Sequence, residues 1–199
     1  MGTKERMERA KTEVHNQILA AAMDIVKNEG CQSLSIRKIA DRLEYTPPII
    51  YSYFLNKEAV LIELCNKGYI SLVRYIQQQL EYVTGTEERM EAVLMAYLHF
   101  AETEIELYQL MYTVGTSLDN VETAFPGIKT LANLFREEMQ NLVKEKILTD
   151  QIFRRNFLIC ISFAHGFIAL SRYYKDIDPQ MNELVSKKAV AGIIRSIQF

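Results

Sequence analysis

The sequence has few of the residues that interrupt helices, with four prolines and eight glycines among 199 residues. They fall between segments of helical periodicity, and no segment shows the alternation of a strand. Cysteines are also scarce, and Cys31, Cys65 and Cys160 lie far apart without a Cys-x-x-Cys pair. A disulfide framework or a zinc site is therefore not expected, and this usage fits a reducing compartment.

The sequence also lacks an excess of charge of one sign. Lys and Arg number 23 and Asp and Glu number 25, for a formal net charge of −2, so the chain is not a polybasic nucleic-acid coat. Its notable uncharged stretch, 156–171, is expected to be too short and too polar to span a bilayer. The charged N-terminus has no apolar core of a secretory signal. We therefore expect a cytoplasmic protein with no membrane partner.

Hydrophobic periodicity predicts an all-α fold of about nine helices. Ser35 and Asn56 are the expected N-caps of the second and fourth helices, and the fourth helix should end near residue 83. The segment 92–101 is apolar on nearly every side, which is typical of a helix in the middle of a core. Residues 119–127 are expected to form a loop. The other predicted helices cover about 10–29, 48–54, 104–114, 128–147, 152–175 and 180–197, with another helix starting at Thr86.

Residues 35–54, SIRKIADRL-EYTPP-IIYSYF, have the pattern of two short helices joined by a tight turn. With the preceding helix as a brace, this is a helix-turn-helix. Ile50 and Phe54 supply the inner face of its second helix. Ile49, Tyr51, Ser52 and Tyr53 are then left pointing outward, and such a cluster of exposed tyrosine and isoleucine side chains indicates a partner.

This segment resembles the N-terminal DNA-binding domain of the TetR family of transcriptional regulators over about residues 12–66. Its most specific part is I-Y-x-Y-F-x-N-K-E-x-x-L at 50–61. The resemblance implies a helix-turn-helix DNA-binding domain over 1–56 and a helical effector-binding and dimerisation domain over 57–199. It implies a homodimeric repressor that a small apolar or amphipathic effector releases from a pseudo-palindromic DNA operator.

Carried over position by position, the resemblance also implies a set of DNA-binding residues. Thr46 and Lys57 would hold phosphates, Tyr51 and Tyr53 would bond phosphates on either side of the groove, and Arg37 would reach a base or a phosphate. The residues expected to face base edges are Pro47, Pro48, Ile49 and Ser52.

The turn and the second helix of the helix-turn-helix, which is expected to read the DNA and is called the reading helix below, depart from the family pattern. Glu44 stands where family members usually have glycine, and a left-handed conformation there would be strained, so a different turn is expected. Because Pro48 restricts Pro47, the third helix is expected to begin at Pro48. Neither Pro47 nor Ile49 offers a side-chain donor, so base reading is expected to rely on thymine methyl groups and on Arg37.

In the later helices, the analogy with the family implies an effector cavity lined by aromatic and methionine side chains, although the same residues could simply build a core. The candidates are Tyr97, Phe100, Met111, Tyr112, Phe135, Met139 and Phe163. The last two helices are the predicted dimer surface. Small residues that would allow close approach are Ser162, Ala164, Gly166, Ala169, Ala189, Ala191 and Gly192, and the apolar area would come from Phe157, Ile161, Ile168, Ile193 and Ile194.

Other function classes remain open at this point. The chain could be a helical binding module whose head meets a protein partner, or a transcriptional activator. A metal-dependent helical enzyme would need ligands such as His99 or His165, but the sequence contains no Glu-x-x-His pair of the kind that di-iron bundles use. It also shows no nucleophile–base set and no phosphate-binding loop. Enzymatic activity, a metal and a cofactor are therefore not expected.

Overall fold

The computed structural model describes residues 2–115, 125–143, 147–174 and 178–197. Within these ranges the chain forms nine α-helices and no strand, which confirms the all-α prediction. The loop expected at 119–127 lies mostly outside the described residues. The helices are α1 Thr3–Glu29, α2 Ile36–Arg42, α3 Pro47–Tyr51, α4 Lys57–Leu80, α5 Thr86–Thr103, α6 Ile105–Gly115, α7 Pro126–Val143, α8 Asp150–Tyr173 and α9 Pro179–Ile197.

The chain groups into two compact units. The first unit comprises Met1–Gly68 and Glu106–Phe125, and the second comprises Tyr69–Ile105 and Pro126–Phe199. The division falls inside α4, so this helix belongs to both units. The predicted division into 1–56 and 57–199 is a functional one and stays a prediction.

In the first unit, α2 packs against both α1 and α3. The apolar faces of the three helices meet in a core that includes Ile18, Ala22, Ile25, Ile39, Ala40 and Ile50, all buried. At the rim of this core, Arg42 pairs with Asp24 at 2.6 Å and Lys38 pairs with Glu29. Both pairs are largely exposed and contribute little stability. The apolar contacts therefore hold α3 in place.

The predicted helix caps are confirmed. The Ser35 hydroxyl accepts a hydrogen bond from the Lys38 backbone N–H, and the Asn56 side chain accepts one from that of Ala59. The third helix, however, begins at Pro47, one residue before the predicted Pro48. Thr46 takes the extended N-cap conformation, and both prolines fit the first turn because the N–H groups they lack have no intrahelical acceptor there.

The turn between α2 and α3 keeps the left-handed geometry despite the glutamate. Glu44 has φ 55°. Its backbone N–H donates to the Asp41 carbonyl, and the Tyr45 N–H donates to the Ala40 carbonyl at 2.9 Å. This hydrogen-bond pair is the Schellman motif that ends helices, and its left-handed position usually holds glycine. The expectation of a different turn was therefore wrong, because the two bonds hold Glu44 in a strained conformation.

Replacing Glu44 by glycine is expected to raise the free energy of unfolding by about 1 kcal/mol, because glycine adopts the left-handed conformation without a Cβ clash. Urea unfolding of the full chain measures this gain. Glu44→Ala is the matched control, since alanine removes the carboxylate but keeps the Cβ. An equal gain in both variants would show that the carboxylate, and not the backbone conformation, is the source of the strain.

In the second unit, α5 packs against α7, α8 and α9, which confirms its predicted central place. Its apolar residues are buried on nearly every side. One charged pair joins this core. Glu138 on α7 is 3% exposed, and its carboxylate accepts two hydrogen bonds from the Arg89 guanidinium, at 2.6 and 2.9 Å. The remaining Arg89 nitrogen donates to the Leu80 and Val83 carbonyls, so the same side chain also caps the end of α4.

Helices α8 and α9 present large apolar side chains to solvent. These are Ile152, Leu158, Ile159, Leu170, Tyr173 and Tyr174 on or just after α8, and Met181, Leu184 and Val185 on α9. Ala164, Ile168, Ile193 and Ile194, which the sequence assigned to a dimer surface, are buried within the chain. They pack against neighbouring helices of the same unit and are not available to a partner.

By length and composition alone, α8 could cross a membrane, and it is the one such helix among the residues that the structure describes. The uncharged stretch 156–171 is shorter than this helix, which continues beyond the stretch at both ends. One helix of this kind is weak evidence for a membrane span. An exposed apolar helix face is also what an uncovered subunit interface looks like.

Candidate nucleic-acid interface

The outward face of the helix-turn-helix carries most of the residues predicted to contact DNA. Tyr51 is 55% exposed and Ile49 is 40% exposed, so the expectation that they point outward is met. Ile50, between them, is fully buried against the core. The other predicted contacts that are exposed are Arg37, Thr46, Pro48 and Ser52, whereas Pro47, Tyr53 and Lys57 are half-buried.

Local hydrogen bonds decide what two of these polar side chains can offer. Thr46 is the N-cap of α3, but its side chain makes no capping hydrogen bond. The Ser52 hydroxyl donates to the Ile49 carbonyl at 2.7 Å, so its proton is already used within the helix. In this rotamer Ser52 presents an acceptor to a base edge, which suits the amino group of adenine or cytosine.

A cluster around His15 fixes the end of the reading helix, and the sequence analysis missed it. The His15 ring on α1 stacks on Phe54 with centroids 4.9 Å apart and lies 6.5 Å from the Tyr53 ring. Its Nε2 lies 3.1 Å from a carboxylate oxygen of Glu63 on α4. The one sequence signal was that His15 precedes Ile18 by three residues and so shares its helix face. The cluster ties Tyr53 and Phe54 to both α1 and α4.

The start of α4 lies immediately after the reading helix. Asn56 caps it, and Lys57 occupies its first position. Free N–H groups and the positive end of the helix dipole make such a terminus suitable for a phosphate. Leu55, just before the cap, is 83% exposed, and sequence reasoning did not identify it. Together with Ile49, it adds apolar area to this face.

The predicted effector-binding residues fall into both units. Met111 and Tyr112 lie on α6 in the first unit, and the Tyr112 ring is 4.9 Å from Tyr108. Met111 is buried against Gly68, since a Cβ added to Gly68 would stand 2.7 Å from the Met111 sulfur. Met111 therefore packs against α4 of its own unit, whereas Tyr112 contacts Tyr108 on α6 itself.

The other five candidates belong to the second unit. Tyr97, Phe100, Phe135 and Met139 are buried, whereas Phe163 is half-buried. Tyr97 and Phe135 meet edge to face at 6.4 Å, and Phe135 contacts Phe157 in the same way at 5.3 Å. Phe163 contacts Phe167 at 5.7 Å. The first two contacts form a continuous aromatic cluster from α5 through α7 to α8, and its role in binding an effector stays a prediction.

The described part of the chain also bears on two other chemistries, metal binding and nucleophilic attack by a cysteine thiol. No group of three or more His, Cys, Asp or Glu side chains there could hold a metal ion. Burial raises the pKa of Cys65 and of Cys160 to about 12, and it also raises the pKa of Cys31. The three thiols therefore stay protonated near neutral pH, and a protonated thiol is a poor nucleophile.

Comparison with known proteins identifies the helix-turn-helix. Residues 18–64 match the family model described as bacterial regulatory proteins, tetR family. The HTH-type transcriptional activator FasR of Mycolicibacterium smegmatis is 26% identical over 102 residues, which are 51% of this chain and 47% of that protein. The match thus spans about half the length of this curated relative.

Solved structures share the fold of nearly the whole chain. A protein of unknown function from Rhodococcus sp. RHA1 matches with a TM-score of 0.74 and 20% identity, covering 93% of this chain and 95% of that chain. The fatty acid degradation regulator FadR from Bacillus halodurans matches with a TM-score of 0.65 and 19% identity, covering 92% and 94%. The TetR family regulator PfmR from Thermus thermophilus matches with a TM-score of 0.62 and 18% identity, covering 89% and 97%.

Proposed function

This chain belongs to the TetR family of bacterial regulatory proteins, and from that premise we propose that it is a homodimeric, ligand-responsive transcriptional repressor. The observation that carries the proposal is the outward face of α3. Tyr51 and Ile49 are exposed there, while Ile50 anchors the helix in a buried core. An exposed apolar and aromatic face on a firmly held short helix is suited to the major groove, where thymine methyl groups and phosphates are its partners.

Phosphate contacts would fix the position of α3 in the groove. Thr46 and Lys57 lie at the starts of α3 and α4, and Tyr51 and Tyr53 lie near the end of α3. Phosphate bonds of this kind set register and orientation but carry no sequence information. Sequence reading is left to Pro47, Pro48, Ile49 and Ser52, with Arg37 from α2. Because Ile49 and the prolines offer no donor, we propose a half-site rich in thymine under Ile49.

Dimerisation through α8 and α9 completes the DNA-binding unit. Both helices carry exposed apolar residues and small ones, and an added Cβ at Gly166 or Gly192 meets nothing within 4 Å of the chain. This surface would bury its apolar area against the same surface of a second copy, as a two-fold dimer requires. A dimer of helix-turn-helix heads binds two half-sites about 34–36 Å apart, so the operator is pseudo-palindromic.

A small apolar or amphipathic effector would control the dimer. The aromatic and methionine side chains of the later helices suit such a molecule, and one structural relative is a regulator of fatty acid degradation. Helix α4 belongs to both compact units and begins directly after the reading helix, so it would carry the conformational change. The effector can shift the balance only through its different affinities for the two states.

A transcriptional activator is the second candidate, because the curated relative FasR is an activator. The same DNA-binding face serves either role, and the position of the operator relative to the promoter separates them. In both roles the protein acts by binding, without enzymatic activity or a cofactor, and in the cytoplasm.

The test is a selection of DNA fragments by the purified full-length protein, followed by footprinting at two salt concentrations. We expect a short palindromic site with a thymine preference under Ile49 and an affinity that falls steeply with salt. Weak, sequence-independent binding that persists after a small-molecule extract of the cells is added would contradict the proposal. It would favour a head that meets a protein partner.

A conservative pair of variants tests the reading face in the same assay. Tyr51→Phe removes only the hydroxyl predicted to bond a phosphate, and we expect it to weaken binding roughly tenfold for all sequences alike, since a dimer would lose two such bonds. Tyr82→Phe is the matched control, because Tyr82 is also exposed but lies beyond the end of α4. Equal affinities for the two variants would show that the Tyr51 hydroxyl bonds no phosphate.

A further inference from the structure

Helix α1 extends well beyond the core that it braces. Its first buried residue is Ile18, and every side chain from Lys4 to Glu13 is exposed. These ten residues correspond to about 15 Å of helix. This segment continues a helix that the core already holds, so it needs no nucleus of its own. Because it buries none of its side chains in the chain, its surface is available to a partner outside the chain.

One face of the extension forms the wall of a groove. The groove has a volume of about 740 Å³, and Tyr53 lines it together with α1. The α1 residues on this wall include Lys4, Met7, Ala10, Lys11 and Val14, which follow the spacing of a single helical stripe. Met7 is 70% exposed in this stripe. The side chains of Arg6 and Arg9 do not line the groove, although both lie on the same extension.

We propose that this groove extends the DNA interface, with the sugar–phosphate backbone running between α1 and Tyr53 and the Lys4 and Lys11 ammonium groups on its phosphates. The inference rests on the proposed DNA-binding function, in which Tyr53 already bonds a phosphate. The two lysines are seven residues apart, which places them about 10 Å apart along the helix axis. A backbone that reaches Tyr53 would therefore meet a cation at two successive places along α1.

The composition of the groove favours this occupant. Its cations match the charge of a phosphodiester chain, and the apolar side chains of Met7, Ala10 and Val14 can cover the C–H surfaces of deoxyribose between phosphates. The groove also adjoins the face of α3 through Tyr53, so one strand could follow both. These contacts would add affinity and register without adding base specificity.

Glu8 provides an independent test, because it lines the same groove and has the opposite charge. A carboxylate there repels a phosphate backbone but has no such effect on a solvated helix end. Glu8→Gln is therefore expected to raise DNA affinity several-fold at low salt, in the opposite direction to the lysine variants.

The experiment measures the affinity of the full-length protein for a random duplex of roughly 30 base pairs, longer than the two half-sites of a dimer, and for its selected operator over a range of salt concentrations. The variants are Lys4→Ala with Lys11→Ala, Glu8→Gln, and the matched control Arg6→Ala with Arg9→Ala. The control removes the same charge from the same extension, outside the groove. Circular dichroism and thermal unfolding confirm that each variant is folded.

Each phosphate contact contributes about 0.9 to the slope of log affinity against log salt. Four lysine contacts in a dimer therefore predict a slope smaller by about 3 to 4 in the lysine double variant, and at least a roughly tenfold loss of affinity at about 0.1 M salt for both duplexes. The arginine control should retain nearly the wild-type slope, because charges without a phosphate contact release no counterions.

The outcomes separate this inference from the function on which it rests. If the wild-type protein binds its operator and the lysine and arginine variants have equal slopes, the groove has another occupant and the inference is overturned. Equal DNA affinities for the Glu8→Gln variant and the wild-type protein would count against the inference in the same way. If the wild-type protein binds no duplex at any salt concentration, the proposed function itself fails.

Discussion

Replacing Gly166 by arginine is expected to convert the proposed dimer into monomers and to lower its affinity for a palindromic operator by at least about 100-fold. Gly166 is exposed on α8, and an added Cβ there meets nothing within 4 Å. The single chain therefore has room for the new side chain. In the proposed dimer, the same position lies in a stripe of small residues between apolar ones, where a long charged side chain prevents close helix approach and is left without a partner.

The loss of DNA affinity follows from the loss of linkage. Two linked heads gain roughly 100-fold to 10,000-fold in affinity over a single head when the geometry allows both to bind. A monomer binds each half-site independently and forfeits this gain. The protomer itself should be at least as stable as before, because glycine is a poor residue in the middle of a helix.

Sedimentation equilibrium at micromolar concentration and operator titration measure the two effects of Gly166→Arg. Asn141→Arg introduces the same side chain at an exposed position on α7 and is the matched control. Gly166→Ala tests size, and we expect it to remain a dimer. If the arginine variant keeps the wild-type dimer dissociation constant, the dimer forms through another surface.

Local features of the fold were predictable from the sequence because they depend on neighbouring residues. The Ser35 and Asn56 caps are confirmed, each through a hydrogen bond to a backbone N–H three residues later. The central place of α5 followed from a segment that is apolar on nearly every side. The outward position of Tyr51 and Ile49 followed from the inner placement of Ile50 and Phe54, both of which are buried. In each case the pattern lies within a few turns of one helix.

Features that join distant segments were not predictable in this way. His15 meets Glu63 across 48 positions, and Arg89 meets Glu138 across 49. Glu138 lies three residues after Phe135 on the apolar face of α7, so the sequence did signal a buried acid that needs a partner. Nothing local identified that partner as Arg89. Four of the predicted dimer residues, Ala164, Ile168, Ile193 and Ile194, were misassigned for a related reason, because apolar residues of α8 and α9 can face either their own core or a partner.

The left-handed turn at Glu44 shows a third limit of prediction from the sequence. The rule that a non-glycine residue avoids positive φ describes a local conformational cost correctly. It does not include the tertiary contacts of the helix-turn-helix, which also decide the conformation of the turn. The packing of α2 against α3 and the two hydrogen bonds of the turn outweigh a cost of about 1 kcal/mol at Glu44. A local preference that small yields to the tertiary structure.

Replacing Arg89 by methionine is expected to lower the free energy of unfolding by about 3–5 kcal/mol, which is the usual cost of removing one partner of a buried ion pair. Glu138 would stay buried without its two hydrogen bonds, and the Leu80 and Val83 carbonyls would lose their donor. Urea unfolding at neutral pH measures the loss by linear extrapolation.

A double-mutant cycle then separates the ion pair from the capping of α4. Glu138→Leu alone leaves the Arg89 charge without its carboxylate, whereas Arg89→Met with Glu138→Leu removes both charges and fills the space with apolar groups. Replacing a buried pair in this way is often nearly neutral, so the double variant should recover most of the stability. A residual loss of about 1–2 kcal/mol is expected, because the two carbonyls at the end of α4 remain without the guanidinium. Strictly additive losses would mean that Arg89 acts on α4 alone and that its pairing with Glu138 stabilises nothing.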